Sequence, residues 1–195
     1  MTVGTVETGR LVDRNELLRL ADSVLLAQCA IDRLRGPGPG GQKRNKTESA
    51  VRLRHVASGL AAMAGESRSQ HENKARALRR LRERIAFDLR QPVELDGYEA
   101  PPALAGLVGR EALGKSQKRQ TRSTPSGTKW LRSAEYLCGV AELIDLYAAA
   151  GCSVPEAARR MGVSQGRLDR LVRADPRLAR KLGELRTAQR GRPAL

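Results

Sequence analysis

The sequence predicts an α+β protein: a small antiparallel sheet with a long helix, then a linker and an all-α, helix-turn-helix-like module. Three patterns predict it. Two segments with alternating side chains, CAIDRLR (29–35) and AVRLRHV (50–56), are followed by a turn and a third, apolar run. From His71 to about Arg90, apolar residues recur at helical spacing among many cations. In the last third they recur again, between Ser and Asp residues suited to cap helices. The expected division is 1–90 for the sheet domain (core 29–90, N-terminal helix 13–28), 91–130 for a linker with a basic second half, and 131–195 for a helical basic module.

Taken in order, Asp13 is placed to cap a helix whose apolar positions are Leu17, Leu18, Leu20, Ala21, Val24 and Leu25. In the first strand Ile31 and Arg33 share a face. In the second, Val51, Leu53 and His55 share one face and Arg52 and Arg54 the other. His55 is thereby expected to be a satisfied core histidine. The turn Ala57-Ser58-Gly59 leads to a returning strand, LAAMAG (60–65). In the long helix, Ala75, Leu78, Leu81, Ile85 and Leu89 form the apolar stripe, and Arg76, Arg79, Arg80, Arg82 and Arg84 fill much of the rest. Residues 91–130 show little periodicity, with Pro101-Pro102 inside them. Further on, Leu137, Val140, Leu143, Ile144 and Tyr147 have core spacing, and Ser153, Ser164 and Asp175 are successive N-caps. Ala158, Gly162 and Val163 fall where a helix-turn-helix needs a small residue, a turn glycine and a buried aliphatic.

Composition narrows the function. The 195 residues carry a formal net charge of +15, and only five are Phe, Trp or Tyr, so the cores must be mainly aliphatic. The charge is concentrated in three blocks, +8 over 36–90, +6 over 110–132 and +7 over 151–195. That distribution favours an extended polyanionic partner. No apolar run approaches the roughly 18 residues needed to span a bilayer, and MTVGTVETGRLVDRNELL has neither a secretory nor a transit-peptide pattern. Cys29, Cys138 and Cys152 show no metal-ligand spacing and suit a reducing compartment. The expectations are a cytoplasmic monomer, with no membrane, metal or cofactor.

One stretch fits none of these structural roles. RGPGPGGQKRNKTESAVRLR (35–54) crowds glycine and proline together, then one glutamine and three cations. Gly40 and Gly41 permit backbone angles and close approaches that a Cβ forbids, while Pro37 and Pro39 limit the entropy of the free segment. On composition alone the stretch reads as a flexible glycine-rich turn beside a solvated basic helix.

GPGGQKRNKTESAVRLRHVASG (38–59) followed by ESRSQHENKARALRRLRERI (66–85) resembles the GGQ domain of class I peptide chain release factors, which ribosome-rescue peptidyl-tRNA hydrolases share. The resemblance covers about residues 29–90 and rests on Gly40-Gly41-Gln42 joined to Asn45, Ser49-Ala50-Val51 and Arg68-Ser69-Gln70. It implies a catalytic Gly40, Gly41 and Gln42. It also implies contact with large-subunit ribosomal RNA through Lys43, Arg44, Asn45, Lys46, Arg68, Gln70, Lys74 and Arg76. The implied partners are the ribosome and peptidyl-tRNA, and the implied reaction is hydrolysis of the peptidyl-tRNA ester. In the family the glutamine can be methylated, which stays open for Gln42. This chain departs from the family at Arg44, where an aliphatic residue is usual, and at Lys43, often smaller or less charged. No tripeptide resembles a codon-reading loop, and the 28 residues before Cys29 are too few to hold such a domain. The resemblance thus leans towards codon-independent rescue. The alternatives are a non-catalytic ribosome- or RNA-binding factor that kept the fold, and a DNA-binding regulator that uses the C-terminal helices.

Overall fold

The computed structural model describes residues 13–34, 49–112, 131 and 133–191. The chain divides into two units, Met1–Leu89 and Arg90–Leu195. In chain order the first holds α1 (Arg14–Arg19), α2 (Asp22–Ala27), β1 (Cys29–Leu34), β2 (Ala50–His55), β3 (Ala61–Ala64) and α3 (Gln70–Asp88). The second holds α4 (Pro102–Ala112), α5 (Ala134–Ala149), α6 (Val154–Arg160), α7 (Gln165–Ala174) and α8 (Pro176–Arg190). The α+β expectation is met.

The sheet is antiparallel throughout, in the order β1-β2-β3. Strand alternation decides its faces. Val51, Leu53 and His55 turn inward and are buried, while Arg52 and Arg54 turn out. His55 is satisfied as expected. It is 1% exposed, with Nδ1 2.8 Å from Ser58 Oγ and Nε2 3.1 Å from Gln28 Oε1. Burial pushes its pKa down. At the tight turn that follows, Gly59 adopts φ +69°, where a side chain would be strained.

The α3 helix covers the inward face of β2 and β3 with Ala77, Leu78, Leu81 and Ile85. Ser69 caps it by accepting a bond from the Glu72 N–H at 3.3 Å. The apolar stripe differs from expectation at both ends. Ala75 is only half-buried, Leu89 is the C-cap, and the polar Asn73 sits on the core side.

The single N-terminal helix expected over 13–28 is two helices with a break at Leu20 and Ala21. Asp13 does cap α1, accepting from the N–H groups of Asn15 and Glu16. The break follows from where α1's last carbonyls go. The Arg82 guanidinium donates to the carbonyls of Leu18 at 2.9 Å and Leu20 at 2.6 Å, and to Asp22 at 2.8 Å. A guanidinium thus replaces the next helical turn, while Leu18 and Leu25 stay fully buried on either side of the bend.

The expected linker over 91–130 contains α4, which belongs to the second unit. Leu104, Leu107 and Val108, at i, i+3 and i+4, bury against α5. The chain's division at Leu89 and Arg90 therefore precedes the expected module boundary at 131. Residues 113–130 lie outside the described residues.

Helix α5 is the axis of this unit. The positions Leu137, Val140, Leu143, Ile144 and Tyr147 are all buried, as expected. Gly139 lets α4 come close: a Cβ there would lie 2.6 Å from the Ala103 carbonyl oxygen and 2.9 Å from Leu107 Cβ. Asp175 caps α8 and accepts a 2.7 Å bond from the Tyr136 hydroxyl. Burial alone would raise the Asp175 pKa, but bonds from Arg177 and Tyr136 outweigh it and hold the carboxyl below its usual range. Ser153 caps α6 through the Glu156 N–H. Ser164 occupies the cap position of α7 but makes no side-chain cap bond. The turn between α6 and α7 contains Gly162 at φ +66°. Ala158 there is buried, whereas Val163 is only half-buried.

Gly139→Ala should lower the stability of the second unit by about 1–3 kcal/mol through overpacking. In α8, Gly183→Ala meets nothing within 4 Å, and should leave stability unchanged or raise it by up to about 1 kcal/mol. Urea unfolding of both variants, followed by circular dichroism, checks the pair; equal effects would show that Gly139 does not set the α4–α5 approach.

Candidate active site

Gly40, Gly41, Gln42, Lys43, Arg44, Asn45 and Lys46 lie outside the described residues. Both roots of that segment are described. Leu34, the last residue of β1, pairs with Ala50, the first of β2. The segment therefore leaves and re-enters the sheet at one paired position, where Cα atoms sit about 5 Å apart.

A second tie holds the returning root. Asn73, fully buried in the first turns of α3, donates from Nδ2 to the Ser49 carbonyl at 2.7 Å and the Ser67 carbonyl at 2.8 Å. Its Oδ1 accepts the Ser67 N–H at 3.0 Å. One amide thus locks the start of β2, the bend before α3 and the helix itself to one another. Sequence reasoning missed Asn73, because an asparagine among cations looked like part of the wet face. The available signal was its spacing: it precedes Ala77, Leu81 and Ile85 by four, eight and twelve residues.

Beside this root lies an open cleft of about 660 Å³, lined by Ile31, Arg33, Val51, Arg52, Gln70 and Lys74 among others. It forms because α3 packs on β2 and β3 and leaves the inner face of β1 uncovered, so Ile31 remains 43% exposed. Two expected RNA contacts, Gln70 and Lys74, therefore line one cleft, joined by Arg33, which was not expected. Arg52 is held by Asp32 across the strand pair at 2.7 Å. Arg68 is exposed in the bend before α3.

The remaining cations of α3 divide by role. Arg76, an expected RNA contact, lies 3.6 Å from Glu72 and 3.9 Å from Glu66. Exposed pairs of that kind contribute at most about 1 kcal/mol, so Arg76 can exchange a carboxylate for a phosphate. Arg80 and Arg84 do something different. They donate to the Met63 carbonyl at 2.6 Å and the Ala61 carbonyl at 2.7 Å, on the free edge of β3. Arg80 also grips Glu66 at 2.6 Å, and that hydrogen bond holds the Glu66 pKa down. Among the described residues, no group of three or more His, Cys, Asp or Glu side chains could hold a metal ion. None of the described helices is long and apolar enough alone to cross a membrane.

A model of the RF-1 domain matches residues 23–128. Peptide chain release factor 1 of Leptothrix cholodnii is 41% identical over 101 residues, which is 52% of this chain and 27% of that protein. The protein of the same name from Solidesulfovibrio magneticus is 39% identical over 97 residues, 50% of this chain and 26% of its own length. The one from Salinibacter ruber is 37% identical over 82 residues, 42% and 23% respectively. The chain spans about a quarter of the length of the curated relatives it matches. Helices α5–α8 lie beyond the matched domain.

Asn73→Asp keeps the acceptor for Ser67 but sets a carboxylate oxygen against two half-buried carbonyls. It should cost about 2–4 kcal/mol of stability. The exposed change Arg68→Gln should cost less than about 0.5 kcal/mol. Chemical denaturation of both variants tests the contrast, and an undiminished Asn73→Asp protein would refute the locking role.

Proposed function

Because this chain belongs to the RF-1 domain family of class I peptide chain release factors, we propose that its first unit hydrolyses the peptidyl-tRNA ester in the large ribosomal subunit, without reading a codon. One observation carries the proposal: Gly40-Gly41-Gln42 sits between paired strand ends braced by Asn73, so a segment suited to entering a pocket is mounted on a rigid base. The chemistry needs no acid–base pair from the protein. In the family, the backbone N–H at the glutamine position stabilises charge developing on the attacked carbonyl, and the side-chain amide places water and excludes other nucleophiles. Gln42 fills that position here. A donor of this kind in a dry site contributes about 10²–10³ in rate, with positioning in addition.

Recognition in this scheme is electrostatic. Lys43, Arg44 and Lys46 follow the catalytic triplet in sequence. Arg68, Lys74, Arg33 and Arg76 continue the cationic track on the folded base. RNA phosphates are the natural complement. The codon-independent form is supported by what accompanies the motif. Beyond the matched domain the chain forms a basic helical unit. A binding factor that kept the fold without the chemistry makes the opposite forecast in the same assay.

That assay is peptide release from ribosomes carrying labelled peptidyl-tRNA, with a stop codon, a sense codon or no codon in the A site. Equal rates are expected on all three at equal protein concentration. A strong preference for stop codons would overturn codon independence, and no release at all would favour the binding factor. Gly41→Ala should remove most release, about 10²-fold or more, while ribosome binding survives; wild-type rates would end the catalytic assignment.

Arg44→Val should weaken ribosome affinity and reduce the slope of log affinity against log salt by about 1, with folding intact. Affinity unchanged at every salt concentration would show that Arg44 does not contact phosphate.

A further inference from the structure

The second unit presents a surface with no role in the chemistry just described. Helix α7 buries Leu168 and Leu171, which are 1% and 4% exposed. It packs against α4, α6 and α8. At 100° per residue, the direction opposite that apolar pair falls between Gly166, Arg170 and Arg173. Arg170 and Arg173 are exposed, and their Nε groups donate to the carbonyls of Gly166 at 3.2 Å and Asp169 at 3.3 Å. These bonds run both side chains back along the helix by one turn.

Ion pairs take up several of the cations around this face. Arg159 and Arg160 are held by Glu156, Arg177 by Asp175, and Arg180 lies 3.8 Å from Glu184. Arg167, Arg170 and Arg173 make no ion pair among the described residues. Gly166 opens the N-terminal end of this face, where the Arg170 side chain reaches back to its carbonyl. A Cβ there would meet nothing within 4 Å, so the chain itself has no steric need for glycine at that place. A bare backbone beside two exposed arginines allows close approach of a polyanion.

We propose that this face of α7 docks the second unit on an RNA helix of the ribosome, through phosphate contacts from Arg170 and Arg173 at the bare backbone of Gly166. The inference deepens the function proposed above and rests on it for the identity of the RNA. The α6–turn–α7 geometry could also serve DNA, but base readout needs three or four side chains reaching base edges in the major groove. This face has two arginines and a glycine, with Asp169 on its flank. That set suits backbone contact. Double-helical RNA is recognised mainly by shape and backbone, because its major groove is too deep and narrow to admit a helix.

The test uses the full chain and two variants, Arg170→Gln/Arg173→Gln and Gly166→Leu. Binding is measured over a range of salt to purified ribosomes, and to an RNA and a DNA duplex of the same sequence, about 20 base pairs long. Both variants alter exposed positions, and thermal melting by circular dichroism confirms that they remain folded. The double variant should lose about tenfold in affinity for ribosomes and RNA duplex, with a salt slope shallower by roughly 1–2. Gly166→Leu should lose affinity by bulk alone, with little change of slope. Peptide release at saturating protein should be unchanged in both, so the loss reads as a raised KM with constant kcat. Unchanged affinity in both variants overturns the proposal, as does sequence-selective binding to DNA in preference to RNA. The two proposals fail separately. Wild-type release with unaffected variant binding removes this one alone, whereas lost RNA affinity in the variants of a chain that releases no peptide supports this surface and removes only the catalytic assignment.

Discussion

A segment of glycine, proline and cations has almost no apolar surface to bury, so what the fold can fix of it is its two roots. In this chain that constraint rests on one buried amide. Asn73 makes three hydrogen bonds to backbone groups of Ser49 and Ser67. Together with the Leu34–Ala50 pairing, it converts a hairpin end into a fixed mount. The order of dependence is clear: the Ser69 cap starts α3, α3 places Asn73, and Asn73 holds the strand that carries the segment back. Removing the amide would take those donors from the Ser49 and Ser67 carbonyls, so the returning root of the segment and the unit's stability share a single residue.

The high arginine content serves two tasks that the composition merges. Some guanidinium groups complete the fold. Arg82 satisfies the last carbonyls of α1, and Arg80 and Arg84 satisfy those on the edge of β3. Others, at Arg33 and Arg68 in the first unit and Arg170 and Arg173 in the second, remain turned to solvent or a cleft. Arginine suits both because its planar fork presents several donors in fixed directions. Net charge therefore overstates the surface available to a polyanion, and the useful quantity is the set of cations left after backbone carbonyls and carboxylates have taken theirs.

Period-two and period-3.6 patterns made most elements legible. The three strands, α3 and α5 follow directly from Val51/Leu53/His55 and from the apolar stripes. What remained hidden was decided by contacts distant in sequence. The break at Leu20 needs Arg82, more than sixty residues on. Helix α4 has a short apolar face whose meaning depends on Gly139 opposite it. Asn73 reads as solvent-exposed until Ser49 and Ser67 are brought to it. At the site, the motif and its family spacing were visible, and the mount was not. The cations of α3 looked equivalent in sequence because helical periodicity reports which face is wet, and does not report whether a strand edge lies within reach of it.

The capping of β3 by Arg80 and Arg84 bears on how charge-removal experiments along α3 should be interpreted. Stripping those two guanidinium groups takes cations from the surface and also uncovers two carbonyls on a strand that, among the described residues, has no neighbour on that side. Such an edge recruits another chain. Variants at these positions would be scored as poor ligands for nucleic acid when the missing activity had gone into self-association. Light scattering beside every titration separates the two causes, and a glutamine that still reaches the carbonyls offers a neutral substitute. Two cations that a charge count would assign to a polyanion thus also cover a strand edge that a second copy of the chain could otherwise pair with.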